Sequence, residues 1–241
     1  MTAWTLVGIG AAVNVASGNI APVAPAGGQK GDLYVAVIAF RSNVAFAAPA
    51  GWTIHQQQAT GNVSTTASTA IASGLIASIV RGDTEPATTF TRTAGDAGLA
   101  RILIYRPTAG RPVFMTSSST TAAVNATAVS TGELNITSKD ALIIAGFCGG
   151  DNTTVSTFDA ATDPSTASAA TNTTSPPAAG IWYERADSNT ASGSDTTLGI
   201  ADGVKATTGL TGSITCTAAV SSRHVMVAAA FFVRKRYVLA T

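Results

Sequence analysis

Apolar residues along this chain come in short runs, broken by Gly, Pro, Asn and clusters of Thr and Ser. Ala70 to Val80 is long enough for a helix, but Ser73-Gly74 in its middle and Ile and Val at its end favour a strand, and the pattern as a whole predicts strands. In the first half they are expected at Trp4 to Ile9, Asp32 to Phe40, Trp52 to Gln58, Ala70 to Val80, Ala87 to Thr93 and Leu99 to Arg106. The runs DLYVAVIAF and LARILIYR are apolar on both alternating faces, which marks central strands covered on both sides. Pro49-Ala50-Gly51 is turn chemistry ahead of WTIHQQQ, and Pro107 stops the last strand. The stretch from Ala109 to Thr131 reads as an irregular connection or an outer edge strand. Strands resume at Leu134 to Thr137, Ala141 to Cys148, Ile181 to Arg185, Thr196 to Ile200, Gly212 to Thr217 and His224 to Val233. Residues 149–180 form a long loop-like excursion without Lys or Arg, with one short strand expected around Val155 to Phe158.

The order of these elements repeats. GDLYVAVIAF, PAGWTIH and TTFTRTAGDAGLARILIYRP in the first half correspond to KDALIIAGF, PAAGIWYERAD and GSITCTAAVSSRHVMVAAAFFV in the second. Each half reads as an Asp-led central strand, a Pro-Ala-Gly turn with Trp, and a Thr-rich strand returning as an apolar one. Neither half alone has a two-layer core. The expectation is therefore an all-β protein: one antiparallel, jelly-roll-like β-sandwich over residues 1–241. Its pseudo-repeats span about 31–107 and 138–233, and a tail follows at 234–241. Two independent small sandwiches are the alternative.

Composition gives this pattern its chemistry. With 46 Ala, 36 Thr and 21 Ser in 241 residues and only 11% charged, the chain lacks the Glu, Lys and Leu of long helices. A net charge of +1 excludes the high-charge route to disorder and the basic excess of a duplex binder. Before the C-terminal cluster the only lysines are Lys30, Lys139 and Lys205. Strand edges and outer faces of monomeric β proteins usually carry charge, often Lys. Neutral Thr, Ser and Ala in that place point to a surface covered in a homo-oligomer or a larger lattice.

The two cysteines, Cys148 and Cys216, lie far apart in apolar runs, which suits buried thiols and excludes a CxxC pair. MTAWTLVGIG has no basic n-region, so no signal peptide is expected. Residues Ser42 to Val80 carry no Lys, Arg, Asp or Glu. Pro49, Gly51, His55 and Gln56 to Gln58 nevertheless make them unsuitable as a membrane span.

Several segments together resemble a family of β-sandwich proteins of tailed-phage particles. They are Gly31-Asp32-Leu33-Tyr34-Val35-Ala36, Pro49-Ala50-Gly51-Trp52, Asp83 to Thr89, Ile102 to Arg106, Tyr183 to Asp187 and Ala228 to Arg234. Departures are the long Thr/Ser/Ala insertion and Val233-Arg234-Lys235 in place of a terminal Arg-Pro. The resemblance implies a non-enzymatic structural protein on the virion exterior, a capsid decoration or head-fibre-like protein binding other virion proteins. A tail-tip adhesin for a host surface glycan is the second reading.

The chemistry-bearing residues are few. The chain lacks GxSxG, HExxH, Walker and GxGxxG motifs, so no catalytic residue and no cofactor is expected. His55 is expected to be exposed on a polar strand, and His224 to hydrogen-bond beside a turn. Asp83 and Glu85 share a strand face by spacing, but Gly82 and Pro86 make them a solvated turn. Arg81-Gly82-Asp83 is expected to be turn chemistry despite spelling an attachment tripeptide. Asp151, Asp159 and Asp163 lack a Ca²⁺-loop spacing. Two candidate binding sites remain. Arg234, Lys235 and Arg236 form the one basic cluster, read either as a solvated tail or as a contact for an acidic patch of a partner. Trp182 and Tyr183, with Trp52, are the candidate aromatic platform for a sugar, although aromatics beside a Pro-Gly turn more often plug the end of a sandwich core.

Overall fold

The computed structural model describes residues 3–60, 71–160, 164, 172–190 and 195–235, apart from the side chains of Ala123 and Val124. Among the described residues fourteen strands carry the architecture. The first half contains β1 (Trp4–Ile9), β2 (Val13–Val15), β3 (Leu33–Phe40), β4 (Thr53–Ala59), β5 (Ser73–Val80) and β6 (Gly98–Pro107). The second contains β7 (Arg111–Ser130), β8 (Asn135–Ile136), β9 (Ala141–Gly149), β10 (Val155–Ala160), β11 (Tyr183–Thr190), β12 (Thr196–Lys205), β13 (Gly209–Leu210) and β14 (Ile214–Arg234). Among the described residues there is no helix long and apolar enough to cross a membrane.

The halves build one sheet each. The first sheet has the order β1-β6-β3-β5-β4, with β2 also pairing β6. In the second sheet β9 lies between β14 and β12, β11 is outside β12, and β7 is outside β14. Read from β7, that order is β7-β14-β9-β12-β11, which matches the first sheet strand for strand. The sequence repeat is thus a repeat of topology. The two sheets are antiparallel throughout and pack face to face as a β-sandwich. Among the described residues each half keeps its strands to itself, so the two large sheets are segregated by half.

The central strands explain the packing. All eight residues of β3 (LYVAVIAF) are buried, as are all nine of β9 (ALIIAGFCG). Alternation sends Leu33, Val35 and Val37 toward Leu142, Ile144 and Cys148, forming the core between the sheets. The other faces are covered as well. Tyr34, Ala36 and Ile38 lie under connections that bring in Ile20, Phe46, Trp52 and Phe90. Ile143, Ala145 and Phe147 lie under β10 and the first part of β14, through Phe158, Ile214 and Cys216. Strand β14 does this by changing register between Thr217 and His224: one part pairs β9, and the other folds over the outer face with β10. Each large aliphatic or aromatic side chain buried this way contributes roughly 1.5–3 kcal/mol.

Small residues set the distance between the sheets. A Cβ on Gly146 would lie 2.4 Å from Val37 Cγ1, and one on Gly74 would lie 2.7 Å from Cys148 Sγ. At the Pro49-Ala50-Gly51-Trp52 turn, the Trp52 amide donates to the Pro49 carbonyl at 3.1 Å, and Gly51 has φ of 84°. A type II turn requires positive φ at its third residue, so glycine belongs there.

One expected element differs, and one open alternative is decided. Residues 87–93 do not form a strand; they lie over the outer face with isolated bridges Ile20↔Phe90 and Ala47↔Thr91. Residues 111–130 form one 20-residue edge strand, β7, so the edge-strand alternative holds there. Of the long excursion, β10 is present near its expected position.

One polar cluster spans the inter-sheet core. Asp202 on β12 and Arg185 on β11 are fully buried and joined by two hydrogen bonds, of 2.7 and 2.8 Å. Tyr105, from the opposite sheet, donates its hydroxyl to Asp202 Oδ2 at 2.7 Å. Burial pushes the Asp202 carboxyl up, while Arg185 and the Tyr105 hydroxyl pull it back down. Burial also pushes the Tyr105 hydroxyl well above its ordinary range, so it remains a donor. Removing the Asp202 charge leaves the Arg185 guanidinium buried and unneutralised. Asp202→Asn is expected to lower stability by about 3–5 kcal/mol in urea unfolding; a loss within a few tenths of wild type would show that the pair is dispensable.

Candidate functional site

The two tryptophans expected at a sugar platform are both interior. Trp182 is 1% exposed and lies in the outer core of the second sheet. Trp52 lies in the outer core of the first sheet and donates its indole N–H to the Ala87 carbonyl at 2.8 Å. They belong to opposite outer layers of the sandwich and cannot meet on one ligand. Tyr183 is half-buried, and the Arg185 guanidinium lies 4.8 Å from its ring centroid. The Trp182–Tyr183 platform is therefore corrected: the larger ring plugs a core, as large apolar rings beside turns commonly do.

Arg234 and Lys235 are in a different position. Both are exposed, and they line an open groove of about 680 Å³ where the two sheets meet at one corner. Arg236 lies outside the described residues. The groove has one wall from β4 and β5 and another from β7 and β14. Side chains clip the two walls together further along. Gln56 Nε2 donates to Ser117 Oγ at 3.0 Å, Ser119 Oγ donates to Gln56 Oε1 at 3.0 Å, and Ser117 Oγ donates to the His55 carbonyl at 3.2 Å.

The groove has an aromatic side and a cationic side. His55 stacks on Phe114 with ring centroids 4.0 Å apart and an interplanar angle of 7°, and both rings meet Phe231 edge-on. Phe114 is 40% exposed, so one anchor remains open to solvent. The cations are Arg111, Arg234 and Lys235, and no acidic residue lines the groove. Arg111 and Arg234 are direct partners across the β7/β14 ladder. Directly opposed like charges are destabilising. Neither arginine, nor Lys235, takes part in an ion pair among the described residues.

His55 is thus half-buried against aromatic rings, where an exposed strand residue was expected. The expectation failed because WTIHQQQ alternates only roughly, and β4 changes register between Ile54 and Gln56. Arg111 and Phe114 were not singled out as site residues at all. Only the strand register places them beside Arg234 and Phe231, over one hundred positions away in sequence.

The remaining candidates have structural explanations. His224 is buried in β14, with Nε2 2.7 Å from the Ala126 carbonyl of β7. Asp83 pairs with Lys30 at 2.7 Å and Glu85 with Arg81 at 2.7 Å. The Arg81 guanidinium also donates to the Gly28 carbonyl, so the Arg81-Gly82-Asp83 tripeptide is held by its turn. Asp151 and Asp159 accept hydrogen bonds from the backbone amides that directly follow them; Asp163 lies outside the described residues. No group of three metal-ligating side chains occurs among the described residues. Cys148 and Cys216 are free and belong to different cores, and burial pushes the Cys148 thiol well above its ordinary range, so it is held as a neutral apolar group.

Comparison with family models, with curated proteins and with solved structures finds no match to this chain.

The groove has a titration signature. Burial depresses His55 to about 4, against 6.5 for a free imidazole. Its Nε2 lies 2.7 Å from Ser78 Oγ, and the charged groups facing it along the groove are the cations Arg111, Arg234 and Lys235. A base whose folded pKa is depressed contributes stability above the unfolded value and loses it as pH falls toward the folded value. The window is therefore from about pH 6.5 down to about 4. The ring is only half-buried, so solvent screening reduces the effect to about 1–2 kcal/mol. Urea unfolding at pH 7 and pH 4 is expected to show His55→Gln losing about 1–2 kcal/mol less than wild type over that interval. An identical loss in both would remove His55 from the pH response.

Proposed function

We propose that this chain is a non-enzymatic structural protein of a tailed-phage particle, exposed on the exterior as a decoration or head-fibre-like protein, and that it works by binding other virion proteins. The observation that carries the reading is strand β7. It is an edge strand of 20 residues, and no charged side chain occurs from Pro112 to Gly132. A long, neutral, Ser/Thr-rich edge is a template for pairing that proteins working alone normally blunt with charge. In a protein that spends its life inside an assembly, the same edge is a contact surface. The segment resemblance noted in the sequence supports a phage particle as that assembly.

Burial of Trp182 removes the aromatic platform as support for the second reading, a glycan-binding adhesin. The location assigned is the virion, assembled in the host cytoplasm, with a homo-oligomer as the form in which β7 edges are covered. The proposal names neither a nucleic acid nor a membrane as partner.

Expressed with an epitope tag in a phage-producing host, the chain is expected to band with particles in a density gradient and to appear as exterior density in particle images. Recovery wholly in the soluble fraction would overturn the proposal. The purified chain is expected to give masses at multiples of 24.1 kDa by mass photometry, as an oligomer. A stable monomer at micromolar concentration would confine the contact to the particle lattice.

A further inference from the structure

We propose that the corner groove is a docking site for an acidic, extended segment of a partner protein, with carboxylates bound by Arg111 and Arg234 and a neighbouring apolar side chain seated on Phe114. The proposal rests on the assembly reading above and assigns the contact a place and a chemistry.

Three observations converge on it. The first is an uncompensated charge arrangement. Each half of the chain closes its aliphatic strand on an arginine, Arg106 in the first and Arg234 in the second. Arg106 is neutralised within the fold: Asp32, just ahead of β3, accepts hydrogen bonds from it at 2.9 and 2.8 Å. Asp140, just ahead of β9, forms no such pair with Arg234. Arg234 faces Arg111 across the ladder instead, and Lys235 follows. The position that the first half closes internally is left open in the second, with a like charge set opposite it. A carboxylate from outside would relieve that repulsion, and it matches the planar donor fork of arginine in two-point geometry.

The second observation is the aromatic side. An exposed Phe114 held flat on His55 and supported by Phe231 is a rigid apolar platform. Its order is already established in the free protein, which lowers the entropy cost of seating a side chain on it.

The third is the distribution of the two. The cations cluster at the start of β7 and the end of β14, and Leu33, Ile79, Val80 and Val113 are among the other lining residues. A nucleic-acid strand or a sulfated glycan needs positive charge tracking the length of its backbone. Clustered cations together with apolar lining residues fit an acidic residue next to an aliphatic or aromatic one. A peptide in extended form supplies that alternation.

The test uses fluorescence anisotropy of the full chain with a fluorescein-labelled hexapeptide of alternating glutamate and phenylalanine. Saturable binding that weakens with added salt is expected. It is expected to fall at least about tenfold in the Arg111→Glu/Arg234→Glu double variant, and similarly in Phe114→Ala. All three positions are exposed, and unchanged thermal unfolding would show that the variants fold. Equal binding of a glutamine–phenylalanine peptide would overturn the proposal, as would undiminished binding by the double reversal. So would a heparin oligosaccharide that binds as tightly as the peptide with no dependence on Phe114, since the groove would then be a general anion patch. Particle association measured on the same variants separates the two readings. Reversal variants that still band with particles sink the groove proposal and leave the assembly reading standing. Peptide binding by a chain that never associates with particles does the opposite.

Discussion

Two-sided burial is the constraint on which everything else in this molecule depends. Strands β3 and β9 have no polar face, so each sheet must be covered twice. Packing the sheets against each other satisfies one face of each. The outer faces then need their own cover, which the first half supplies with connecting loops and the second with β10 and the folded-over part of β14. The result is a four-layered protein with three apolar cores. Small side chains make this workable: glycine at 74 and 146 allows the sheets to approach where any Cβ would collide.

The same constraint explains the placement of the polar groups. A core apolar on both sides tolerates charge only when it is matched in full, and Arg185, Asp202 and Tyr105 achieve that by joining both sheets. Their directional bonds act as a register mark in a core otherwise made of interchangeable aliphatic groups. Most of the other arginines are similarly committed, Arg41 and Arg101 to backbone carbonyls and Arg106 to Asp32. Against that background the three groove cations, which form no ion pair among the described residues, stand out as surface chemistry.

The corner exists because two pseudo-equivalent sheets must end somewhere. Strands β4 and β7 are edges of different sheets, joined by glutamine and serine side chains where backbone pairing between sheets is impossible. The groove lies beside that clip, and its chemistry follows from the residues at the strand ends, the first of β7 and the last of β14. The low surface charge and the groove therefore point the same way: neutral edges suited to coverage, and one localised charged feature suited to recognition.

The all-β class, the central strands and the half-repeat were legible from the residues alone. Apolar runs such as DLYVAVIAF have only one economical conformation, and the repeat of Asp, Pro-Gly-Trp and aliphatic segments reports a repeat of topology. Local pattern could not say that the halves keep separate sheets, because strand pairing is a choice among distant partners of similar apolarity. It left Trp182 open between a sugar platform and a core plug, which burial decides for the plug, and it misjudged His55, whose face is set by an irregularity in β4. It pointed to Arg234 and Lys235 as a basic cluster, but not to the Arg111 and Phe114 that line the same groove, since a groove assembled across a ladder has no local signature. Sequence by itself determined that this protein is a stack of small-residue strands with neutral surfaces. Only the tertiary structure decided where charge would be left uncompensated, because neutralisation depends on distance in space and not along the chain.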